Sequence, residues 1–142
     1  MTTTRPVTSG TVDLGLSGAV VLVTGGARGV GAGIASVLAG LGAVPVICGR
    51  TAPGAGNEVS EPNQPRPAPH EFHACDVRDS DALRAAVERG INEFGKLDVV
   101  VAQAGVAGMK GNPPTQAWCD VIDTNLIGTI NAVLSPVVKG CH

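Results

Sequence analysis

A glycine-rich segment between two apolar segments constrains this chain more than any other feature. Residues 19–23 (AVVLV) form a continuous apolar run, which is typical of a strand buried on both faces. Residues 24–31 (TGGARGVG) follow directly. Apolar side chains then recur at helical spacing as far as Gly42, where a helix would end: Val30, Ile34, Val37, Leu38 and Leu41. This order predicts a strand, a glycine turn and a helix.

The glycine turn suits a pyrophosphate group. Glycines let the backbone approach such a ligand, and the first amides of the following helix point at it. The strand before the turn, the helix after it and the spacing T-G-x-x-x-G-x-G all agree with this interpretation. The alternative is a tight turn that only packs the helix on the sheet.

Short strands and helices continue to alternate along the chain. Strands are predicted at 44–48, 71–75 and 97–101, and the proline-rich residues 51–70 are predicted to form a loop. Pro45 weakens the second strand and is expected at its start.

Two further helices are predicted. Ser80 is expected to cap the first, which Gly95 closes and whose apolar positions are Leu83, Val87, Ile91 and Phe94. The last helix begins near Thr115. The whole order predicts an α/β fold, a three-layer parallel sheet with helices on both faces and about four strands, with ligands at the carboxyl ends of the strands.

Charge and composition exclude several classes of protein. The chain has 142 residues, of which 44% are hydrophobic, so it can bury a core. Its formal charge of −2 gives no basic field for nucleic acid or an anionic membrane. The polar opening lacks the apolar stretch of a signal peptide, and no apolar run approaches the ~20 residues that span a bilayer. We expect a cytoplasmic protein.

The cysteines predict neither a disulfide framework nor a metal site. Cys48, Cys75, Cys119 and Cys141 are scattered without a CxxC pair, as buried cysteines are in a reducing compartment. His70, His73 and Cys75 could ligate a metal, but no second cluster completes a site. We interpret them as unrelated loop and strand residues.

Several motifs together resemble the short-chain dehydrogenase/reductase family, from about Gly18 to Val138. The resemblance implies an incomplete NAD(P)-binding Rossmann domain over residues 18–142, after a flexible segment at 1–17. It also implies cofactor contacts from the glycine turn and from the ends of strands three and four: Thr24, Gly25, Ala27, Arg28, Gly29, Val30, Gly31, Asp76, Val77, Ala104 and Gly105. Ala102 and Gln103 stand where the family has two asparagines, so the family's hydrogen bonds between central strands are in question.

The residues after strand two bear on the choice of cofactor. An acid there would bond a ribose 2′-hydroxyl and repel a 2′-phosphate, whereas this chain has Gly49 and Arg50. Arg50 and Arg28 could form charge-assisted bonds to the phosphate, as matching arginines do in NADP-preferring relatives. We therefore expect NADP, with NAD as the alternative. Arg50 could instead be a solvated loop residue and Arg28 a local loop contact.

The last helix carries a candidate catalytic residue. Helical spacing places Asn125 in line with apolar positions that we expect in the core: Trp118, Val121, Ile122 and Val133. The resemblance implies that Asn125, in residues 125–128 (NLIG), belongs to the family's catalytic tetrad and holds a water in a proton relay. The alternative is a structural amide that bonds backbone within its own helix.

The resemblance implies that the family's catalytic serine and Tyr-x-x-x-Lys follow the next strands, whereas this sequence ends at His142 and contains no tyrosine. Lys139 is interpreted as a surface charge. The apolar fourth strand also lacks a neighbour on its outer edge, which suggests a fragment, a frameshift or a processed chain.

Three hypotheses follow from these observations. The chain is the cofactor half of an NADP-dependent oxidoreductase acting on a small-molecule alcohol or carbonyl, inactive alone. Alternatively it is a non-enzymatic nucleotide-binding or regulatory module that pairs through its open sheet edge. The third is a nonfunctional remnant that folds poorly. Homo-oligomers are plausible under the first two.

Overall fold

The computed structural model describes residues 14–52, 71–107 and 114–137. Most of the predicted N-terminal segment and of the predicted loop at 51–70 lies outside these ranges. The described residues form, in chain order, β1 (Val20–Thr24), α1 (Gly29–Gly40), β2 (Val44–Gly49), β3 (Glu71–Ala74), α2 (Ser80–Phe94), β4 (Val99–Ala102), α3 (Thr115–Ile122), a π-helical segment (Asp123–Ile127) and α4 (Gly128–Val137).

The four described strands form one parallel sheet in the order β3-β2-β1-β4. Val20 pairs with Val44 of β2, and Val21 pairs with Val99 of β4. β1 buries side chains on both faces, because Val20 and Leu22 pack with α2 while Val21 and Val23 pack with α1. The predicted fold class, a three-layer Rossmann-type sheet of about four strands, is confirmed.

Pro45 is the second residue of β2 and lies one position before the start of the β2–β3 ladder. That ladder begins where Val46 pairs with Glu71. The expected place of Pro45 near the start of the strand is therefore confirmed to within one residue.

Helix α2 confirms its predicted apolar face but not its predicted cap. Leu83 and Val87 are buried. Asp79, and not Ser80, is the N-cap: its Oδ1 accepts hydrogen bonds from the backbone N–H of Asp81 and Ala82, both at 3.0 Å. The expectation failed because both residue types cap helices, and spacing alone does not choose between neighbours.

Helix α1 forms as its apolar spacing predicts, but the stripe is only partly covered. Val30 is 69% exposed and Val37 is 64% exposed, whereas the helix buries Gly31 and Ala35. A Cβ on Gly31 would lie 2.3 Å from the carbonyl oxygen of Gly25. Because the glycine turn brings α1 this close to the sheet, small residues lie at the closest contact, and of the stripe Leu38 packs against the same core.

The last helices also depart from expectation, since of the positions predicted to lie in the core Trp118, Ile122 and Val133 are exposed and Val121 is half-buried. Seven large apolar side chains on α3, the π-helical segment and α4 are at least 40% exposed, and we call them the α3–α4 face: Trp118, Ile122, Leu126, Ile127, Ile130, Val133 and Leu134. Thr124, Ala132 and Ser135 are buried instead. Asn125 is exposed as well, so the expectation of a buried amide was wrong.

The expectation for the cysteines is corrected by a disulfide between Cys48 and Cys75, whose Cα atoms are 5.9 Å apart. Cys48 lies near the end of β2 and Cys75 directly follows the neighbouring strand β3. Parallel strands bring these two ends together although they are 27 positions apart in the chain. Cys119 is free and exposed, whereas Cys141 lies outside the described residues.

A metal site was not expected, and His73 has a local partner in Glu71, with Nε2 2.9 Å from Oε1. His70 lies outside the described residues. Across residues 14–52, 71–107 and 114–137, no group of three or more candidate ligands could hold a metal ion. Within the same ranges, none of the helices has the length and apolar character needed to cross a membrane.

Candidate functional site

A cavity of about 360 Å³ opens at the carboxyl ends of the strands. It contains every predicted cofactor-binding residue except Thr24: Gly25, Ala27, Arg28, Gly29, Val30, Gly31, Arg50, Asp76, Val77, Ala104 and Gly105. The turn after β1 and the segments after β2, β3 and β4 therefore meet in one place, as expected for an open parallel sheet.

The glycines of the turn have different structural roles. Gly25 has a φ of +69°, and a Cβ there would lie 2.8 Å from the Cα of Ala104. At Gly31, a Cβ would likewise lie too close to the backbone, here to the carbonyl of Gly25. Gly29 also has a positive φ, +55°, but a Cβ there would meet no heavy atom within 4 Å. Two glycines thus allow close backbone packing, and the third borders open space in the cavity.

Helix α1 presents its positive end to this space. Its N-cap, Arg28, is extended and makes no side-chain capping hydrogen bond, and the first turn contains no acidic residue. The first amides of a helix have no partner within the helix, and the helix dipole adds partial positive charge there. Because Gly29 and Val30 line the cavity, these amides make it suited to an anionic group.

Thr24 connects two of the strands whose ends form the site. Its side chain is buried, and Oγ1 accepts hydrogen bonds from the backbone N–H of Gln103 and of Ala104, each at 3.1 Å. The hydroxyl thereby joins the end of β1 to the end of β4. Thr24 therefore makes a contact between these strands. The end of β4 that it contacts carries Ala102 and Gln103, which stand where the family has asparagines.

Asp76 lies in the cavity, but Arg78 engages its carboxylate. Arg78 Nη2 lies 2.7 Å from Oδ2, and Nε lies 3.0 Å from Oδ1. The Arg78 side-chain hydrogen bonds hold the pKa of Asp76 below its ordinary value against the opposing effect of partial burial, and the charge of Arg50 also lowers it. Asp76 is therefore an ionised group whose partner is a neighbouring side chain.

Asn125 lies in the π-helical segment and is not a cavity residue. Its Nδ2 donates to the Val106 carbonyl at 3.0 Å, and its Oδ1 accepts from the Val106 N–H at 2.8 Å. The amide thus bonds the segment after β4, so the alternative of a bond within its own helix does not describe the side chain. Asn125 reaches the cavity through Val106, which lines it.

Sequence reasoning missed six cavity residues: Gly49, Thr51, Cys75, Gln103, Val106 and Thr124. The first five lie at or just after the ends of β2, β3 and β4, so the rule that ligands bind at the carboxyl ends of strands could have found them. Thr124 had no such signal. Its position depends on how the π-helical segment packs, which helical periodicity does not predict.

The parallel sheet and its cavity define a Rossmann-type α/β domain. A family model described as short chain dehydrogenase matches residues 19–137. The chain belongs to this family of oxidoreductases.

Individual relatives agree with this assignment. D-threitol dehydrogenase of Mycolicibacterium smegmatis is 39% identical over 119 residues, which cover 82% of this chain and 45% of the relative. Cis-4-hydroxycyclohexanecarboxylate dehydrogenase of Sinomonas cyclohexanicum is 41% identical over 114 residues, or 77% of this chain and 44% of the relative. The chain spans about half the length of these relatives.

A solved structure with the same fold is 3-ketoacyl-(acyl-carrier-protein) reductase from Brucella melitensis complexed with NADH. It superposes with a TM-score of 0.72 at 29% identity, over 88% of this chain and 52% of the reductase chain. The described sheet and helices therefore correspond to about half of that enzyme.

Proposed function

We propose that this chain binds NADP(H) in the cavity and supplies the cofactor-binding half of an oxidoreductase. The reaction is hydride transfer between the nicotinamide and an alcohol or carbonyl group of a small molecule. The observation that carries the proposal is the open, left-handed Gly29 at the positive end of α1, inside a cavity lined by Arg28 and Arg50.

The residues of the cavity fit a dinucleotide. The open space beside Gly29 lets a ligand group reach the first amides of α1. A side chain at this position would obstruct that group. A pyrophosphate needs unpaired donors and positive potential, and the first turn of α1 supplies both. Asp76 and Val77, at the end of β3, would flank the adenine end, as the resemblance to the family implies.

The preference for a 2′-phosphate rests on Arg50 and Arg28. Both line the cavity, and its only acidic residue among the described lining residues is Asp76, which Arg78 already engages. A 2′-phosphate near Arg50 would gain charge-assisted hydrogen bonds, and residues 50–52, the described residues directly after β2, contain no carboxylate to hold a free 2′-hydroxyl. NAD is the alternative cofactor, and the Brucella reductase was solved with NADH.

When bound, the nicotinamide would supply or accept the hydride. Asn125 would hold Val106 at the rim of the cavity and, as a match to the family's tetrad, contribute to a proton relay. The sequence contains no tyrosine, so a phenolic acid for the substrate oxygen has to come from another chain or chain segment. We therefore propose that these 142 residues bind the cofactor without turning over substrate.

A second candidate is a nucleotide-binding or regulatory module without catalysis. The observation in its favour is that the Asn125 side chain bonds the Val106 backbone through both its oxygen and its nitrogen, which is a structural use of the amide. In this proposal the outer edge of β4 pairs with another chain. Under either proposal the protein is placed in the cytoplasm, and homo-oligomers would cover the α3–α4 face.

The test is a fluorescence titration of NADPH and of NADH against the purified chain. We expect preferential binding of NADPH. In Arg50→Ala the NADPH dissociation constant should rise by about 10- to 100-fold, since a hydrogen bond to a charged group contributes about 1.5–3 kcal/mol. The NADH constant should change much less, because NADH carries no 2′-phosphate.

Arg89→Ala is the matched control. Arg89 is an exposed arginine on α2 and does not line the cavity, so its loss changes the net charge equally without touching the site. Equal weakening in both variants would mean that Arg50 acts only through net charge. Binding of neither nucleotide by the unmodified chain would contradict the proposal and favour the remnant.

A further inference from the structure

Cys48 and Cys75 form a bonded pair beside the cavity that the proposed function does not use. We propose that this pair is a reversible redox site, and that its disulfide form holds the rim of the cavity more firmly than its dithiol form. The two Cα atoms are 5.9 Å apart, within the range of about 4.4–6.8 Å that a disulfide spans without backbone movement.

The pair lies where three segments of the rim meet. The carbonyl of Cys48 accepts a hydrogen bond from the N–H of Gly25, the first glycine of the turn, at 2.7 Å. The N–H of Cys75 donates to the carbonyl of Gly49 at 2.9 Å, and Asp76 follows directly. The sulfur bond therefore adds a covalent link to segments that backbone hydrogen bonds otherwise join. Opening it would leave these hydrogen bonds to hold the rim.

Reagents would reach the pair through the cavity. Cys48 is 0% exposed and Cys75 is 6% exposed, but Cys75 lines the cavity. A nucleotide in the same cavity would cover Cys75 and slow thiol exchange. This step rests on the proposed function. Linkage then requires that, if the disulfide form binds the nucleotide more tightly, the nucleotide also favours the disulfide form.

The redox step is thiol–disulfide exchange with a small-molecule disulfide. The Cys75 thiolate attacks one sulfur of the reagent, forms a mixed disulfide and releases one reagent thiol. The Cys48 thiolate then attacks the Cys75 sulfur, closes the protein disulfide and releases the second reagent thiol. The protein loses two electrons and two protons, which the reagent gains. Excess small-molecule dithiol reverses both steps.

The first measurement counts thiols in the double variant Cys119→Ser/Cys141→Ser, in which only the pair remains. The protein is equilibrated with oxidised glutathione or with reduced dithiothreitol, freed of reagent, checked by mass for glutathione adducts and assayed for thiols in denaturant. We expect no reactive thiol in the first sample and two in the second. The oxidised sample should melt about 5–10 °C higher, since the bond joins positions 27 apart and restricts the unfolded chain.

The second measurement is amide hydrogen exchange of the two forms. Peptides covering residues 24–31 should exchange about tenfold faster in the dithiol form, because the Gly25 amide bonds the Cys48 carbonyl. Peptides from 114–137 serve as the internal control. NADPH should bind about three- to tenfold more tightly to the disulfide form, and saturating NADPH should slow its reduction at least threefold.

Several outcomes would overturn the inference. They are a pair that stays reduced with excess oxidised glutathione, and equal exchange of residues 24–31 in the two forms. Cys75→Ala, built in the same double variant, should melt near the dithiol form after either treatment, and a remaining response to oxidant would also contradict it. If neither form binds NADPH while thiols and exchange behave as expected, the proposed function fails and the redox inference stands.

Discussion

The sheet is covered very differently at β1 and at its β4 edge. In β1, the exposed fractions of Val20 to Val23 are between 0% and 2%. In β4, Val99 is 38% exposed, and the side chains of the neighbouring α3–α4 face are 40–55% exposed. Apolar character is a property of the sequence, whereas burial requires a second layer. Apolar periodicity therefore indicates a core only where the described chain also supplies the layer that covers it.

The candidate site draws on both regions unequally. The glycine turn and the segments after β2 and β3 belong to the covered side, whereas residues 103–106 and Thr124 come from the β4 side. Thr24 connects the two, because this β1 residue bonds the chain after β4. We therefore expect both stability and nucleotide binding to depend more on the covered side than on the α3–α4 face.

Truncation of one leucine in each region tests this difference directly and has the largest expected effect. Leu83 is 0% exposed in the core, and Leu134 is 52% exposed on the α3–α4 face. Leu83→Ala should lower the free energy of unfolding by about 2–5 kcal/mol, because it removes buried contacts and leaves a cavity. Leu134→Ala should change it by less than about 0.5 kcal/mol.

Urea denaturation of both variants measures these changes. The two leucines lose the same atoms, so only their surroundings differ. Comparable losses of unfolding free energy in the two variants would show that the α3–α4 face is covered in solution. A concentration-dependent melting temperature in the unmodified chain that Leu134→Ala abolishes would identify the cover as a second copy.

Two glycines of α1, on the covered side, differ in how closely they are packed. A Cβ at Gly31 would lie 2.3 Å from the Gly25 carbonyl oxygen, whereas a Cβ at Gly33 would meet nothing within 4 Å. Gly31→Ala should cost about 1–3 kcal/mol and weaken nucleotide binding, because α1 must move away from the turn. Gly33→Ala should stabilise the chain by up to about 1 kcal/mol, since alanine favours the helix.

Thermal unfolding and the NADPH titration read out both glycine variants. If Gly31→Ala bound NADPH as well as Gly33→Ala does, close packing of α1 on the turn would not be needed for the site. If Gly33→Ala weakened binding, the open space next to this part of α1 would belong to the ligand.

Much of the fold was predictable because it depends on local patterns. The order of strands along the chain, the glycine turn and the C-terminal end of α2 follow from apolar periodicity and from glycine, and these are properties of neighbouring residues. Most of the cavity was also predictable, because parallel strands place their carboxyl ends together. The exposure of the α3–α4 face was not, since it depends on which layer lies opposite.

The cysteine pair shows the same limit in the site. Cys48 and Cys75 are 27 positions apart, and no spacing rule joins them. They become neighbours because β2 pairs with β3, and their bond depends on the alignment of two strand ends. The engagement of Asp76 by Arg78 is likewise a matter of side-chain geometry, which the sequence Asp-Val-Arg does not specify.

Asp98 links the two regions, and it should give the smallest effect. Its Oδ2 accepts a hydrogen bond from the β1 residue Val20 at 2.8 Å and lies 2.8 Å from Lys96 Nζ. The Lys96 side chain, followed by the Val20 backbone N–H, holds the pKa of Asp98 below its ordinary value of 3.8. Its stabilisation is therefore fully present above that value and is lost as the pH falls through the lowered folded-state pKa.

The expected signature is a melting temperature that is slightly lower for Asp98→Asn than for the unmodified chain at pH 6, with the two converging as the pH falls below 3.8. Glu93 provides a control of opposite sign, because its hydrogen bond with Glu71 raises its pKa above 4.5. That contribution is present at low pH and is lost as the pH rises. Glu93→Gln should therefore match the unmodified chain at low pH and melt slightly higher at pH 6, since glutamine donates at every pH. If the Asp98→Asn difference did not depend on pH, this contact between β1 and β4 would depend on shape and not on charge.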